Sequence, residues 1–259
     1  MKSTFSSILL AISVPLLAED PKPAHAQSRE SLDKALIEAV QKEDVAETRR
    51  LLTAGADVRH ALTSGNTALH FAAAAGHLEL VKCLIAAGAE LAAMDASGNQ
   101  AIHDAVGQGH KEVVEALLSA GVSQEAQDGS RQRLLHHAVK RGQVEMVKWL
   151  LARRVEVNCA DRIGVAPLSL AAENGDLAMV RLLVAAGAQV AAKEKSGDQA
   201  LHYAAVKGSL ELVKFLRDQG ADLNVRNKNG DTAYSLAASQ GHAALAAWLV
   251  KELEGASRP

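Results

Sequence analysis

Apolar residues recur along this chain at helical spacing, in short bursts broken by glycine. Between Leu62 and Met94, one burst is Leu69, Ala72 and Ala73. Gly76 interrupts, and Leu80, Val81, Leu84 and Ile85 form the next burst. Such spacing places each burst on one helix face. Gly88 follows where a helix would end in the left-handed conformation, which a residue without Cβ adopts most readily. The pattern predicts two short helices per unit. Ala39, Ala72, Ala105, Ala138, Ala171, Ala204 and Ala237 then form one column at a step of 33 residues (39 to 72, for example). Leu51, Leu84, Leu117, Leu150, Leu183, Leu216 and Leu249 form a second, and Gly76, Gly109, Gly142, Gly175, Gly208 and Gly241 a third. Three columns in register over about 200 residues mark an internal repeat. A single unit cannot bury its apolar face, but stacked units can. The alanine column has a packing reason, since a methyl side chain lets a neighbouring helix come close.

Two segments carry a family resemblance. Thr67-Ala68-Leu69-His70-Phe71-Ala72, followed by Gly76-His77, resembles the ankyrin repeat signature T-P-L-H-x-A. Gln199-Ala200-Leu201-His202-Tyr203-Ala204, followed by Gly208, resembles it too. The resemblance spans roughly residues 30 to 253, and period and motif agree. It implies an all-α fold, an ankyrin-repeat solenoid of stacked helix–turn–helix units with short β-hairpin-like turns. The units expected are an N-terminal capping repeat at 27–61, five repeats at 62–94, 95–127, 128–160, 161–193 and 194–226, a C-terminal capping repeat at 227–253 and a flexible tail at 254–259. The first unit carries Ile37 at the histidine position and Glu43 at the glycine position, as a polar, atypical cap would. The pattern is also broken in places. Proline appears in the motif only as Pro167. Arg131 replaces the turn glycine seen at Gly65, Gly98, Gly164, Gly197 and Gly230, and Arg154 replaces the helix-ending glycine. A side chain at positive φ costs about 1 kcal/mol or more, so 128–160 is the least regular unit.

Composition adds two constraints. Hydrophobic content is 48% but aromatic content only 3%, which suits a core of close-packed helices built from Ala, Leu and Val. The formal charge of −2 gives no bulk argument for nucleic acid or an anionic membrane. At the N-terminus, Lys2, the apolar stretch Phe5 to Ala18 and the small-x-small triplet Ala24-His25-Ala26 read as a secretory signal peptide, residues 1–26, with Gln27 as the new terminus. The apolar stretch is too short for an ordinary membrane-spanning helix. The expectation is a periplasmic or secreted protein, of the secreted bacterial type, with no stable membrane insertion.

Catalytic chemistry finds no foothold. His70, His103, His136 and His202 share one repeat position, but packed helices lie about 8–10 Å apart and zinc ligands about 2 Å from the ion. No metal is expected, and each histidine is assigned to backbone groups at the start of its helix. Cys83 and Cys159 fall two units apart, about 20 Å by helix spacing, whereas a disulfide needs Cα atoms within about 7 Å. Cys83 reads as core and Cys159 as the more exposed thiol. Trp149 and Trp248 share the Cys83 column and read as packing residues. No nucleophile elbow, phosphate loop or HExxH pair is present. The chain is therefore expected to be no enzyme and to need no cofactor.

The surface offers a different signal. The resemblance implies that turn tips and the exposed side of the first helix contact a partner on a concave face. Early repeats place small neutral residues there, such as Thr63, Ser64, Asn66, Ala74 and Gln108. Later repeats place Arg131, Gln132, Lys140, Arg141, Arg162, Lys195, Lys207 and Lys228, with Ile163 and Val165 as apolar anchors. Glu173, Asp198 and Asp231 are the acidic exceptions, and a solvated surface of mixed charge is the competing interpretation. The expected function is a monomeric, non-catalytic protein–protein interaction module of the bacterial envelope with an acidic or mixed protein partner and no nucleic acid. An inhibitor or immunity protein blocking a specific enzyme or toxin, and an exported effector acting on host proteins, are the alternatives.

Overall fold

A computed structural model describes residues 24–256. Most of the expected signal segment, 1–23, and the last residues of the expected tail, 257–259, lie outside the described residues. Fourteen helices follow one another in pairs among the described residues: α1 (Ala24–Gln41), α2 (Val45–Thr53), α3 (Ala68–Ala75), α4 (Leu78–Ala86), α5 (Ala101–Gln108), α6 (Lys111–Ser119), α7 (Leu134–Lys140), α8 (Val144–Ala152), α9 (Pro167–Asn174), α10 (Leu177–Ala185), α11 (Ala200–Val206), α12 (Leu210–Asp218), α13 (Ala233–Ser239) and α14 (Ala243–Ala256). No strand joins them; the hairpin-like turns are marked by the isolated antiparallel bridges Ala61–Thr67 and Gln127–Arg133. The helix α1 runs across the expected cleavage point after Ala26, and α14 continues into the stretch expected to be a flexible tail.

The odd-numbered helices form an inner row, each touching the next, while the even-numbered helices pack behind them. Outer helices approach one another closely only over α2, α4 and α6. There the shared column holds Cys83 and Ala116, whereas Trp149, Phe215 and Trp248 fill it further on. Closer packing of the inner row curves the stack with the inner helices on its concave side. The alanine column explains that closeness: Ala72, Ala105, Ala138, Ala171, Ala204 and Ala237 have no exposed surface. Leu84, Leu117, Leu150, Leu183, Leu216 and Leu249 are likewise sealed behind them.

Hydrogen bonds tie each unit to the next. At the start of α3, the Thr67 N–H donates to His70 Nδ1 at 3.2 Å; Gln100, Arg133 and Gln199 do the same to His103, His136 and His202 at 3.0–3.1 Å. An Nδ1 that accepts leaves the proton on Nε2. That N–H then donates to a carbonyl of the following turn: His70 to Asn99 at 3.1 Å, His136 to Val165 at 3.0 Å and His202 to Asp231 at 3.3 Å. Burial lowers the pKa of His70, His103 and His136, which keeps them neutral for this role. A second set of ties crosses the far ends of the inner helices, where His110, Gln143 and His242 donate to the carbonyls of Ala74, Gly107 and Val206.

The irregular unit shows its irregularity. Arg131 and Arg154 hold positive φ, 64° and 61°, as their glycine columns require, and Glu43 in the first cap does so at 57°. The turn before α7 is also shifted. His103 reaches Ala126 O, at 3.4 Å, instead of the carbonyl of Gln132 that the repeat would offer. The Gly129 N–H donates to Gly98 O. Two glycines face each other there, and a Cβ on Gly98 would lie 2.5 Å from the Gly129 backbone.

Candidate partner-binding surface

Four of the turns before the inner helices are each held by one acidic or amide side chain. Asp95, Asp128 and Asp161 each accept two backbone N–H groups of their own turn on Oδ1, from residues two and four further on, at 2.8–2.9 Å. Asn227 does the same with Asn229 and Asp231. Turns so fixed are joined edge to edge by backbone hydrogen bonds: Ala96 N–H to Ser64 O at 2.8 Å, Arg162 to Ser130 at 2.9 Å, Lys195 to Ile163 at 3.0 Å and Lys228 to Ser196 at 2.9 Å. Three successive rungs of this ladder, Arg162, Lys195 and Lys228, carry cations. The same position holds Thr63, Ala96 and Gly129 in earlier units.

The structure brings most of the expected residues to this edge of the stack. Arg131, Arg162, Ile163, Lys195 and Lys228 are exposed on the turns, and Lys140, Arg141 and Lys207 are exposed at the ends of inner helices. Ile163 is 58% exposed. Gln132 is half-buried and its amide reaches Asp161 Oδ2 at 3.3 Å. Val165 does not serve as an anchor. It is only 8% exposed and belongs to the hydrophobic core, so its side chain is not offered to a partner.

None of the seven expected cations takes part in an ion pair among the described residues. The paired ones lie elsewhere: Lys34 on α1 and Lys42 just after it, Arg49 and Arg50 on α2, Lys111 on α6, Lys148 on α8, Lys214 and Arg217 on α12, and Arg133 before α7. Arg162 donates to Gly129 O at 2.6 Å, which fixes its direction without neutralising it. The turn carboxylates, by contrast, are occupied. Asp198 Oδ1 accepts from Asn227 at 2.8 Å, and Asp231 Oδ1 from Ser235 at 3.3 Å.

A column that sequence reasoning passed over lies beside the histidines: Phe71, Asp104, His137, Leu170, Tyr203 and Leu236, each one residue after the histidine column. The 33-residue step could have found it. Two of its members bond the acid of their own turn, nine residues back. His137 Nε2 lies 3.1 Å from Asp128 Oδ2, and the Tyr203 hydroxyl donates to Glu194 Oε2 at 2.7 Å. In the second repeat the equivalent pair is Asp95 and Asp104, two carboxylates. Burial and then Asp95 push the Asp104 carboxyl up to about 6, against the pull of Arg141. Burial and the His103 ring, 4.8 Å away, push His137 down. Burial also raises the Glu194 carboxyl.

The cysteines reverse their expected roles. Cys159 is 3% exposed, its Sγ 3.6 Å from His136 Nδ1, and burial pushes the thiol up to about 12. Its column contains Ala93, Ala126, Ala192 and Val225, the apolar signal that marks a covered position. Cys83 is the half-buried one. Trp149 and Trp248 pack against the core on the outer face, under Arg153 at 4.8 Å and Arg217 at 5.1 Å. Among the described residues no group of three His, Cys, Asp or Glu is placed to hold a metal ion, and no helix is long and apolar enough to cross a membrane.

A row of helix pairs joined by a continuous edge of turns defines a solenoid repeat protein. The family model described as ankyrin repeats (3 copies) matches residues 36–128, 135–227 and 187–257, and the chain belongs to the ankyrin repeat family. It is similar to the crystal structure of the human ASB11 ankyrin repeat domain, with a TM-score of 0.72 and 28% identity over 83% of this chain and 96% of that one. It is also similar to the ankyrin repeat domain of Bcl-3, described as a unique member of the IkappaB protein family, with a TM-score of 0.66 and 33% identity over 78% of this chain and 92% of that one. No curated protein matches the chain. Ankyrin repeats are generally protein–protein interaction modules.

Proposed function

We propose that this chain is a non-catalytic protein-binding module of the bacterial envelope, periplasmic or secreted after loss of residues 1–26, and that it holds its partner on the concave, inner-helix side of the later repeats. One observation carries the placement. Seven cations without an ion pair gather along this one edge of turns and inner-helix ends, whereas on and beside the outer helices cations are either matched with acids or, like Lys82, Arg153 and Arg181, stand singly. Unpaired, exposed charge steers a partner of opposite sign and weakens with salt.

Affinity capture from an envelope extract, at low and high salt, tests this. The protein with Arg141→Glu, Arg162→Glu and Lys195→Glu should lose the partner that the parent retains, while still unfolding in a cooperative transition. Capture that survives the triple reversal in a folded protein refutes the placement. Amino-terminal sequencing of the exported protein tests the location, with Gln27 expected first.

A further inference from the structure

We propose that the rungs Arg162, Lys195 and Lys228 are a docking strip for an extended, acidic segment of a partner protein, one with a carboxylate at every third residue. This deepens the reading above and rests on it. The spacing comes from the turns. Each is two chains wide, and hydrogen-bonded chains lie about 4.7–4.9 Å apart, so successive cations stand about 10 Å apart along the edge. The helix stack behind them requires a similar step, about 8–10 Å. An extended chain in the polyproline II conformation rises about 3.1 Å per residue with three residues per turn, so residues i, i+3 and i+6 share one side at steps of about 9 Å. A β-strand alternates sides at each residue and would turn the third one away.

The chemistry of the strip agrees with that occupant. Its own carboxylates are directed into the turns by hydrogen bonds from neutral donors. Asp161 receives Ile163 and Val165 N–H and the Gln132 amide, and Asp198 receives Asn227. The three rung cations have no such acid partner, and Arg141 and Lys207 stand exposed behind them. Ile163, between Arg162 and the Lys195 rung, and Val206, beside Lys207, are 58% and 42% exposed. They offer two aliphatic contacts to a segment that carries a leucine or valine between its acids. Glu173 is the exposed acid nearby, in the column between Lys140 and Val206, and it sets the inner limit of the strip.

Fluorescence anisotropy with the full chain tests the proposal. The probes are a 13-residue peptide with glutamate at every third position and one central leucine, a scrambled peptide with its glutamates clustered, a lysine-for-glutamate peptide and a single-stranded oligonucleotide. The periodic acidic peptide should bind at least tenfold more tightly than the other three. Replacing Arg162, Lys195 and Lys228 by glutamate should weaken it at least tenfold, and Thr63→Glu with Ala96→Glu, on the early rungs, should leave it unchanged. Equal binding of the scrambled peptide, tighter binding of the oligonucleotide, or indifference to the reversal overturns the proposal. Envelope capture separates the two readings. If the peptides fail while the reversal still abolishes capture, the acidic segment is wrong and the concave face stands; if both fail, both readings fall.

Discussion

Two carboxylates meet where neighbouring repeats place a donor and an acceptor. Asp104 faces Asp95, as His137 faces Asp128 and Tyr203 faces Glu194. The folded protein keeps the Asp104 proton up to about pH 6, while an unfolded chain releases it near 3.8. Folding stability attributable to this group is thus fully present below the lower value and is lost as pH rises through about 6. Asp104→Asn should therefore stabilise the protein at pH 7 by about 1 kcal/mol, well below the roughly 3 that two pKa units carry, because the site is partly solvated. Urea midpoints at pH 7 and below pH 4 check this; the gain should vanish at the lower pH. His137 acts in the opposite sense. Its pKa is lowered, so the unfolded chain gains its proton first and stability falls as pH drops below the ordinary 6.5. At this scale the sequence was uneven. Arg131 and Arg154 were legible because glycine columns declare positive φ. Val165 was misread because its column is otherwise polar, with Asn66, Asn99, Gln132, Asp198 and Asp231, whereas this one apolar member joins the core.

Helices and turns were more legible than residues. A 33-residue period specifies where each helix pair starts and stops, since every unit meets the same neighbours. The ends lack that constraint, and there the expected tail proved partly helical. The lateral contact between turns was not legible at all, because no periodic pattern reports how closely two backbones approach. Gly88 and Gly98 separate that contact from backbone strain. Both hold positive φ, 84° and 80°, but a Cβ on Gly88 meets nothing within 4 Å, whereas one on Gly98 strikes the Gly129 backbone. Gly88→Ala should cost about 1 kcal/mol, the strain alone. Gly98→Ala should cost at least about 1 kcal/mol more, as overpacking does. Equal shifts in the urea midpoint would mean that the turns are not pressed together there.

Across the molecule, the closely packed helix pairs lie within one unit or between adjacent units, mostly along the inner row. Stability is then close to a sum of units and interfaces, and an opening can start wherever one interface is weak. The unit from Asp128 to Ala160 combines two arginines at positive φ with a shifted turn, so it is the place for the array to part. Leu150→Ala, at a fully buried position, should cost about 3 kcal/mol. It should also split a single unfolding transition into two, with hydrogen exchange rising first in α7 and α8. One undivided transition with uniform exchange would show a more cooperative array than nearest-neighbour contacts allow.

The ladder of turns has one more consequence. Every rung is held by main-chain groups, which are the same whatever residue supplies them. The side chains of Lys195 and Lys228 supply none of the bonds that hold one turn to the next, and Arg162 adds only a single one, to Gly129 O, beside its own main-chain rung. Frame and message are thus written in separate alphabets. A lineage can respell the recognised word, one rung at a time, without having to rediscover how to fold.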